Sequence, residues 1–337
     1  MRKEVMVKPG VIEIQEAEKP VLKPGEVLIN VKSVGICGSD VHIFHGKLPF
    51  VQYPVVQGHE ATGVVVETCE SKDIKVGDRV VIQPQITCGE CYPCKTGKYH
   101  ICDNLQIMGV HTDGVAAEYV AIKEERVTKI PADMPFDVGT MIEPLSVAVH
   151  AVNLAGDVNG KNVLVIGAGT IGNLVAQAAK AKGAKVMITG RTQYRLDYAK
   201  DFGIDFCINE REESVREAVA REFGSGADVA IECIGVDRSV NEALEYCRKG
   251  GQVVITGVFG EKQLIAINLI QDKELTVYGS QMYREPDYQE SIALVQEGKV
   301  QLKPLITAHF TLEEYDKAYE YMMARKDPVM KVIVNIE

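Results

Sequence analysis

The chain has 337 residues, 46% of them hydrophobic, and a formal net charge of −10. That length allows two domains with sizeable cores, and the acidic balance argues against a nucleic-acid-binding surface. No apolar run reaches the ~18 residues that span a bilayer, and Met1 to Ile14 mixes charges with Pro9 and Gly10 instead of forming a signal-peptide core. A cytoplasmic protein with no membrane partner is the expectation.

The first stretch reads as strands. Val27–Val34 alternates, Ala61–Glu67 alternates, and Lys75–Arg79 is a turn feeding Val80–Ile82. Short alternating runs bounded by Gly and Pro predict an antiparallel, barrel-like domain. Strand character resumes from Ala116 to Ile122.

Between these strands lies a cysteine lobe. Four of the nine cysteines, Cys88, Cys91, Cys94 and Cys102, follow the spacing C-x2-C-x2-C-x7-C. In a chain with no export signal, clustering favours a metal over disulfides. Three cysteines in a loop with Gly89 and Pro93 can curl round one ion, and the fourth closes a tetrahedron. Iron–sulfur clusters also use clustered cysteines, but the x7 gap suits a structural zinc. Such a site is closed and cannot bind substrate.

A second donor set is scattered. Cys37 sits in a Gly-flanked loop, and His59-Glu60 precedes a strand. Sulfur, nitrogen and oxygen donors are the mixed set of an open catalytic zinc. Glu60 either ligates directly or orients and tunes the ion from behind. Glu143, in Met141-Ile-Glu-Pro-Leu145, is a further carboxylate candidate for the same ion.

From Val138 the spacing turns helical through Leu154. A βαβ rhythm then begins. Strands are predicted at Asn162–Ile166, Lys185–Thr189, Asp228–Cys233, Gln252–Thr256 and Leu275–Gly279. Helices are predicted at Ile171–Lys182, Arg195–Phe202 and Val240–Arg248. This is the pattern of a doubly wound parallel sheet. The run Gly167-Ala-Gly169-Thr170-Ile171-Gly172 stands between strand and helix, the context that makes G-x-G-x-x-G a dinucleotide fingerprint. After Gln281, helices at Tyr288–Gln296 and Glu313–Ala324 and a strand at Met330–Asn335 form a tail expected to return to the first domain.

The end of the second strand decides the cofactor. An NAD enzyme usually places an Asp or Glu there to hold the ribose 2′-hydroxyl. This chain has Gly190-Arg191, with Arg195 nearby. Arg191 can pair with a 2′-phosphate, so NADP is expected, with NAD as the alternative.

Taken together, Gly58-His-Glu-Ala-Thr-Gly63, the Cys88–Cys102 lobe and the 167–172 fingerprint resemble the zinc-dependent medium-chain dehydrogenases/reductases over nearly the whole chain. Ile142-Glu-Pro-Leu145 is most similar to the branch of sorbitol, threonine and sugar-acid dehydrogenases. The run Gly109-Val-His-Thr-Asp-Gly114 most resembles members that oxidise sugar acids, which singles out His111. The resemblance implies a GroES-like β-barrel catalytic domain over residues 1–145 and 286–337 and a Rossmann domain over 146–285. It implies one catalytic and one structural zinc, and hydride transfer between a secondary alcohol and NAD(P). It implies a proton relay through Ser39 and His42, with Glu143 as zinc ligand or proton carrier. It places Cys233, Gly257, Val258 and Phe259 near the cofactor. A homodimer or homotetramer formed through the strand Leu275–Gly279 follows from it. An anionic substrate would want a cation, for which Arg284 and Lys331 are candidates. Rival expectations are a threonine-type amino alcohol dehydrogenase, a simple alcohol or ketone reductase, and a non-catalytic zinc sensor.

Overall fold

In the computed structural model, which describes residues 1–48, 50–324 and 328–337, the long strand Glu26–Ile36 organises the first of two units. Residues Val27, Leu28, Ile29, Val31 and Val34 are fully buried. The strand therefore pairs antiparallel with three others: Glu60–Cys69, Tyr119–Lys123 and Lys331–Asn335. Arg79–Ile82 and Val127–Lys129 extend the sheet on one side, and Ile306–Thr311 extends it on the other. A hairpin of Arg2–Lys8 with Val11–Glu16 lies apart from that sheet. This unit comprises Met1–Glu143 and Ile306–Glu337.

The second unit, Pro144–Leu305, is a six-stranded sheet, and all its pairs are parallel. The order is Phe206–Asn209, Lys185–Gly190, Asn162–Ile166, Ala227–Glu232, Cys247–Ile255, Thr276–Gly279. The winding reverses between Asn162–Ile166 and Ala227–Glu232. At such a switch point the strand ends leave a crevice for a ligand. Burial on both faces explains why these strands read as continuous apolar runs: Val163, Leu164, Val165 and Ile231 are wholly inaccessible.

Two expectations need correction. The helical stretch from Val138 is two helices, Phe136–Thr140 and Ile142–Leu154. The second boundary also falls later than the change in sequence texture suggests. Residues 286–305 belong to the second unit, because the helix Glu285–Gln296 is bonded into it. Asp287 meets His150 Nδ1 at 2.8 Å and accepts from Asn153 Nδ2 at 3.0 Å and from the Arg284 N–H at 2.8 Å. The last of these shows the place of Arg284, at the cap of that helix.

These bonds, led by the one from His150, outweigh burial and hold the Asp287 carboxyl below the usual carboxylate range. A depressed carboxyl stabilises the fold above its unfolded pKa of about 4, and the contribution is lost as pH falls through the folded value. Asp287→Asn should therefore lower stability at pH 7 by about 2 kcal/mol. The deficit should shrink below about pH 4, as read by thermal unfolding across pH.

Among the described residues, no helix is long and apolar enough to cross a membrane.

Candidate active site

The carboxyl end of the central strand positions the first donor group. Ile36 leads into Cys37, which caps the helix Gly38–Phe44 with extended backbone. The Cys37 N–H donates to Asp40 Oδ2 at 2.8 Å. The neighbouring strand begins at Glu60, in register with Gly35, and the strand on the other side begins at Lys331, next to Val332, which pairs with Ile36. Cys37, His59, Glu60 and Lys331 thus converge because three adjacent strands start or stop at one level.

Gly35 makes room for them. A Cβ there would lie 2.1 Å from Glu60 Oε2, so any side chain would displace that carboxylate. Lys331 Nζ donates to both Glu60 oxygens, at 2.6 and 2.7 Å. Burial opposes charge on Lys331, but Glu60 first, then Cys37 and Glu143, outweigh it and raise its pKa. Lys331 is therefore committed to Glu60 and is not a free cation for substrate.

His59 Nδ1 lies 3.2 Å from Asp40 Oδ1, close enough for charge attraction although neither atom makes a hydrogen bond. Burial works against protonation of His59. The Asp40 carboxylate and the Cys37 sulfur outweigh it and raise the pKa well above that of a free imidazole. One donor atom each from Cys37, His59 and Glu60 lies within 4.8 Å of the others. A thiol, an imidazole and a carboxylate gathered this closely fit a borderline-soft cation such as zinc. Glu143 is 4% exposed, at the start of Ile142–Leu154, and lies outside that three-atom group.

Ser39 is half-buried and His42 exposed, three apart on the helix Gly38–Phe44 and so on one face. His111 is exposed, its Nδ1 accepts the Ile107 N–H at 3.1 Å, and its ring stacks on Phe50 at 5.2 Å. The run around it is tied to the segment before His59. Val56 N–H donates to Asp113 Oδ1, and Gln57 Nε2 donates to the Gly109 carbonyl.

The four sulfurs of Cys88, Cys91, Cys94 and Cys102 also lie within 4.8 Å of one another. Cys91 caps the short helix Tyr92–Lys95. The N–H groups of Cys88 and Asn104 each donate to Cys102 Sγ at 3.3 Å. Backbone N–H groups of Glu90 and Cys91 pull the Cys88 thiol down to about 6. Amides aimed at its sulfur prepare Cys88 to be a thiolate, the form a metal binds, whereas burial first, then the neighbouring sulfurs, pushes the Cys94 thiol up to about 12. Four sulfurs satisfy a tetrahedral ion and leave no open position.

In the second unit, Ile166 runs into Gly167, whose φ of +109° only glycine adopts freely. Gly169 caps the helix Thr170–Ala181. A Cβ on Gly172 would lie 1.7 Å from the Gly167 carbonyl oxygen, so strand and helix pack at backbone distance. A helix N-terminus of this kind, opening here at Thr170 and Ile171, suits the pyrophosphate of a dinucleotide. Gly190 is fixed by sterics, since a Cβ there would sit 2.8 Å from the Ala168 Cβ. No carboxylate can stand at that strand end. Arg191 is exposed and Arg195 half-buried.

Two further loops leave the strand ends. Glu232 Oε1 accepts the N–H groups of Ile234 and Gly235 at 2.6 and 2.7 Å and the Ser239 hydroxyl at 2.7 Å. This fixes the turn that begins at Cys233, whose thiol is pushed well up by burial. Opposite, Gly257 precedes Val258, 87% exposed, while Phe259 packs on the core of the sheet. Sequence reasoning missed Asp40, Glu232 and the Glu60–Lys331 pair. Only Asp40 had a local signal, its position three residues after a capping Cys.

Comparison with known proteins agrees with both halves. Residues 23–132 match the alcohol dehydrogenase GroES-like domain, and residues 170–297 match the zinc-binding dehydrogenase family. The chain is 40% identical over 324 residues to an L-threonine 3-dehydrogenase of Pyrococcus furiosus, covering 93% of this chain and 92% of that protein. It is 37% identical over 316 residues to a sorbitol dehydrogenase of Halalkalibacterium halodurans, covering 92% of each. A crystal structure of a Sinorhizobium meliloti protein bound to NADP superposes with a TM-score of 0.90 at 32% identity, over 99% of this chain and 98% of that one. The chain belongs to the zinc-dependent medium-chain alcohol dehydrogenase family and is a nicotinamide-linked oxidoreductase of the alcohol and polyol dehydrogenase type.

Proposed function

We propose that the protein oxidises a secondary alcohol of a polyol, sugar or sugar acid with NADP, and carries out the reverse reduction. The observation that carries the reading is the sulfur, nitrogen and oxygen donor set of Cys37, His59 and Glu60 within 4.8 Å. Zinc held there supplies a Lewis acid that lowers the pKa of an alcohol's hydroxyl into the neutral range. Cys37 and His59 hold the ion, and Glu60, clamped by Lys331, completes or tunes the set. Glu143 serves as ligand or proton carrier. Ser39 Oγ takes the hydroxyl proton, and the exposed His42 passes it to water. Gly167, Gly169 and Gly172 admit the pyrophosphate to the helix N-terminus. Cys233, Gly257, Val258 and Phe259 bound the nicotinamide end through their backbone. Cys88, Cys91, Cys94 and Cys102 hold a second, structural ion.

The alternative substrate is threonine, favoured by the 40% identity to a threonine dehydrogenase. Threonine and sorbitol share the reacting group, a secondary hydroxyl beside a polar carbon. A panel of polyols, sugar acids, threonine and simple secondary alcohols, assayed on zinc-replete enzyme, separates the readings. The highest kcat/KM should fall on a polyhydroxylated substrate. A maximum on threonine transfers the assignment to the amino alcohol, and a maximum on 2-propanol or its ketone excludes both.

The cofactor reading rests on Gly190 and Arg191. NADP should exceed NAD in kcat/KM in the wild type. Arg191→Ala should cost NADP about tenfold or more, and NAD little, because one charge-assisted contact to phosphate is lost. A hundredfold wild-type preference for NAD ends this reading. A dimer or tetramer is the expected assembly.

A further inference from the structure

The carboxylate that the Lys185–Gly190 strand lacks arrives from the next strand. Asn209, the last residue of Phe206–Asn209, pairs with Gly190, and the Glu210 N–H donates to the Gly190 carbonyl at 2.9 Å. Glu210 thus stands beside the position where an NAD enzyme holds its ribose-binding acid. Its side chain is 9% exposed and is not free. Arg238, in the first turn of the helix Asp237–Tyr246, donates to Glu210 Oε2 at 3.1 Å and to Glu242 Oε1 at 2.8 Å. The other Glu210 oxygen is buried with no hydrogen-bond donor. The pair lies in the wall of a pocket of about 430 Å³ that Arg191, Arg211 and Ser214 also line. Neither Arg191 nor Arg211 has an ion-pair partner among the described residues. The pocket therefore pairs off all three of its carboxylates, Glu210 and Glu242 with Arg238 and Glu213 with Arg221, and leaves the guanidinium groups of Arg191 and Arg211 exposed.

We propose that the Glu210–Arg238 ion pair is a lock on cofactor choice, withholding from NAD the acid that would accept its ribose hydroxyls and leaving Arg191 and Arg211 to bind a 2′-phosphate. The inference rests on the NADP reading above and assigns its specificity to two residues outside the fingerprint. Arg238 acts here as a positioning residue. It turns Glu210 away from the ribose and cancels a charge that would repel phosphate. Specificity of this kind is a difference between two affinities, and a single repulsive group can set it.

The test is kcat/KM for NADP and for NAD in the wild type, Arg238→Gln, Glu210→Gln and the double variant, with the same alcohol. Arg238→Gln should gain about tenfold with NAD and lose about tenfold with NADP, as a freed carboxylate attracts hydroxyls and repels phosphate. Glu210→Gln should keep NADP and gain nothing with NAD. The double variant should lose the NAD gain. Arg238→Gln changing both cofactors equally, or a NAD gain that survives in the double variant, overturns the lock. A wild type that prefers NAD overturns the cofactor reading instead, because the lock is judged on the change in the ratio. Direct titration with adenosine 2′,5′-bisphosphate against 5′-AMP gives the same discrimination without turnover, and so covers a variant that folds but does not catalyse. Equal affinities of Arg238→Gln and wild type for both nucleotides count against the lock.

Discussion

Cys37→Ser is expected to take the metal-replete protein from two zinc ions per chain to one, and to lower kcat/KM by about 10⁴-fold or more. A serine hydroxyl has far too high a pKa to replace a thiolate as a zinc ligand. The remaining His59 and Glu60 donors lie within 4.8 Å of the lost sulfur, and a set without its thiolate does not hold the ion against dilution. The fold should persist, because Cys37 is half-buried at the start of a helix and its backbone N–H, not its sulfur, is what Asp40 accepts. Cys91→Ser provides the contrast. It should also leave one ion, but lower thermal stability while the Cys37 site stays loaded, since a structural metal contributes folding free energy. Metal analysis of gel-filtered protein with circular dichroism reads both. Two ions and full activity in Cys37→Ser would contradict the assignment.

Lys331→Met carries the second large effect. The Glu60 carboxylate would be left 1% exposed with its two-pronged partner gone. Breaking a buried pair from one side costs about 3–5 kcal/mol, because the other charge stays buried and unpaired. For a chain of this size that is a fall in Tm of about 4–7 °C. The double variant Glu60→Gln/Lys331→Met removes both charges and should recover much of the stability, as neutral pairs often match buried ion pairs. It should not recover function, because Glu60 also faces Cys37 and His59. Zinc affinity at that site should weaken about 10–100-fold in Lys331→Met, the usual effect of losing a group that orients a ligand. An unchanged Tm would show that water or another cation already satisfies Glu60.

Local signals reached far into this fold. The strand Asn162–Ile166 stands where its apolar run places it, and the helix after it begins at Thr170. Gly167, Gly169 and Gly172 carry their instruction within six residues, so no distant contact is needed to read them. The cysteine lobe was legible for the same reason. What escaped was non-local or weakly patterned. The strand Phe206–Asn209 is four residues long and mixes Cys and Asn with its apolar side chains, and the helix Val215–Phe223 is only nine residues long, four of them Arg or Glu. The terminal hairpin and the strand Ile306–Thr311 expose many of their residues and show no strict alternation.

The site followed the same division. Cys37, His59 and Glu60 were legible as residue types in company. Their support was not, because Lys331 and Glu60 are 271 positions apart and meet only when three strands align round Gly35. Glu210 carries no such signal, because the fingerprint points to an acid at the end of the Lys185–Gly190 strand itself, whereas pairing of Asn209 with Gly190 delivers one from the strand beside it.

Alcohol oxidation by this protein requires an ion at Cys37, His59 and Glu60. Anomalous diffraction from zinc-loaded crystals, collected on both sides of the zinc absorption edge, tests this directly. Two peaks per chain are expected, one among the four sulfurs of the lobe and one touching Cys37 Sγ and His59. A single peak, confined to Cys88, Cys91, Cys94 and Cys102 in fully loaded protein, would contradict it.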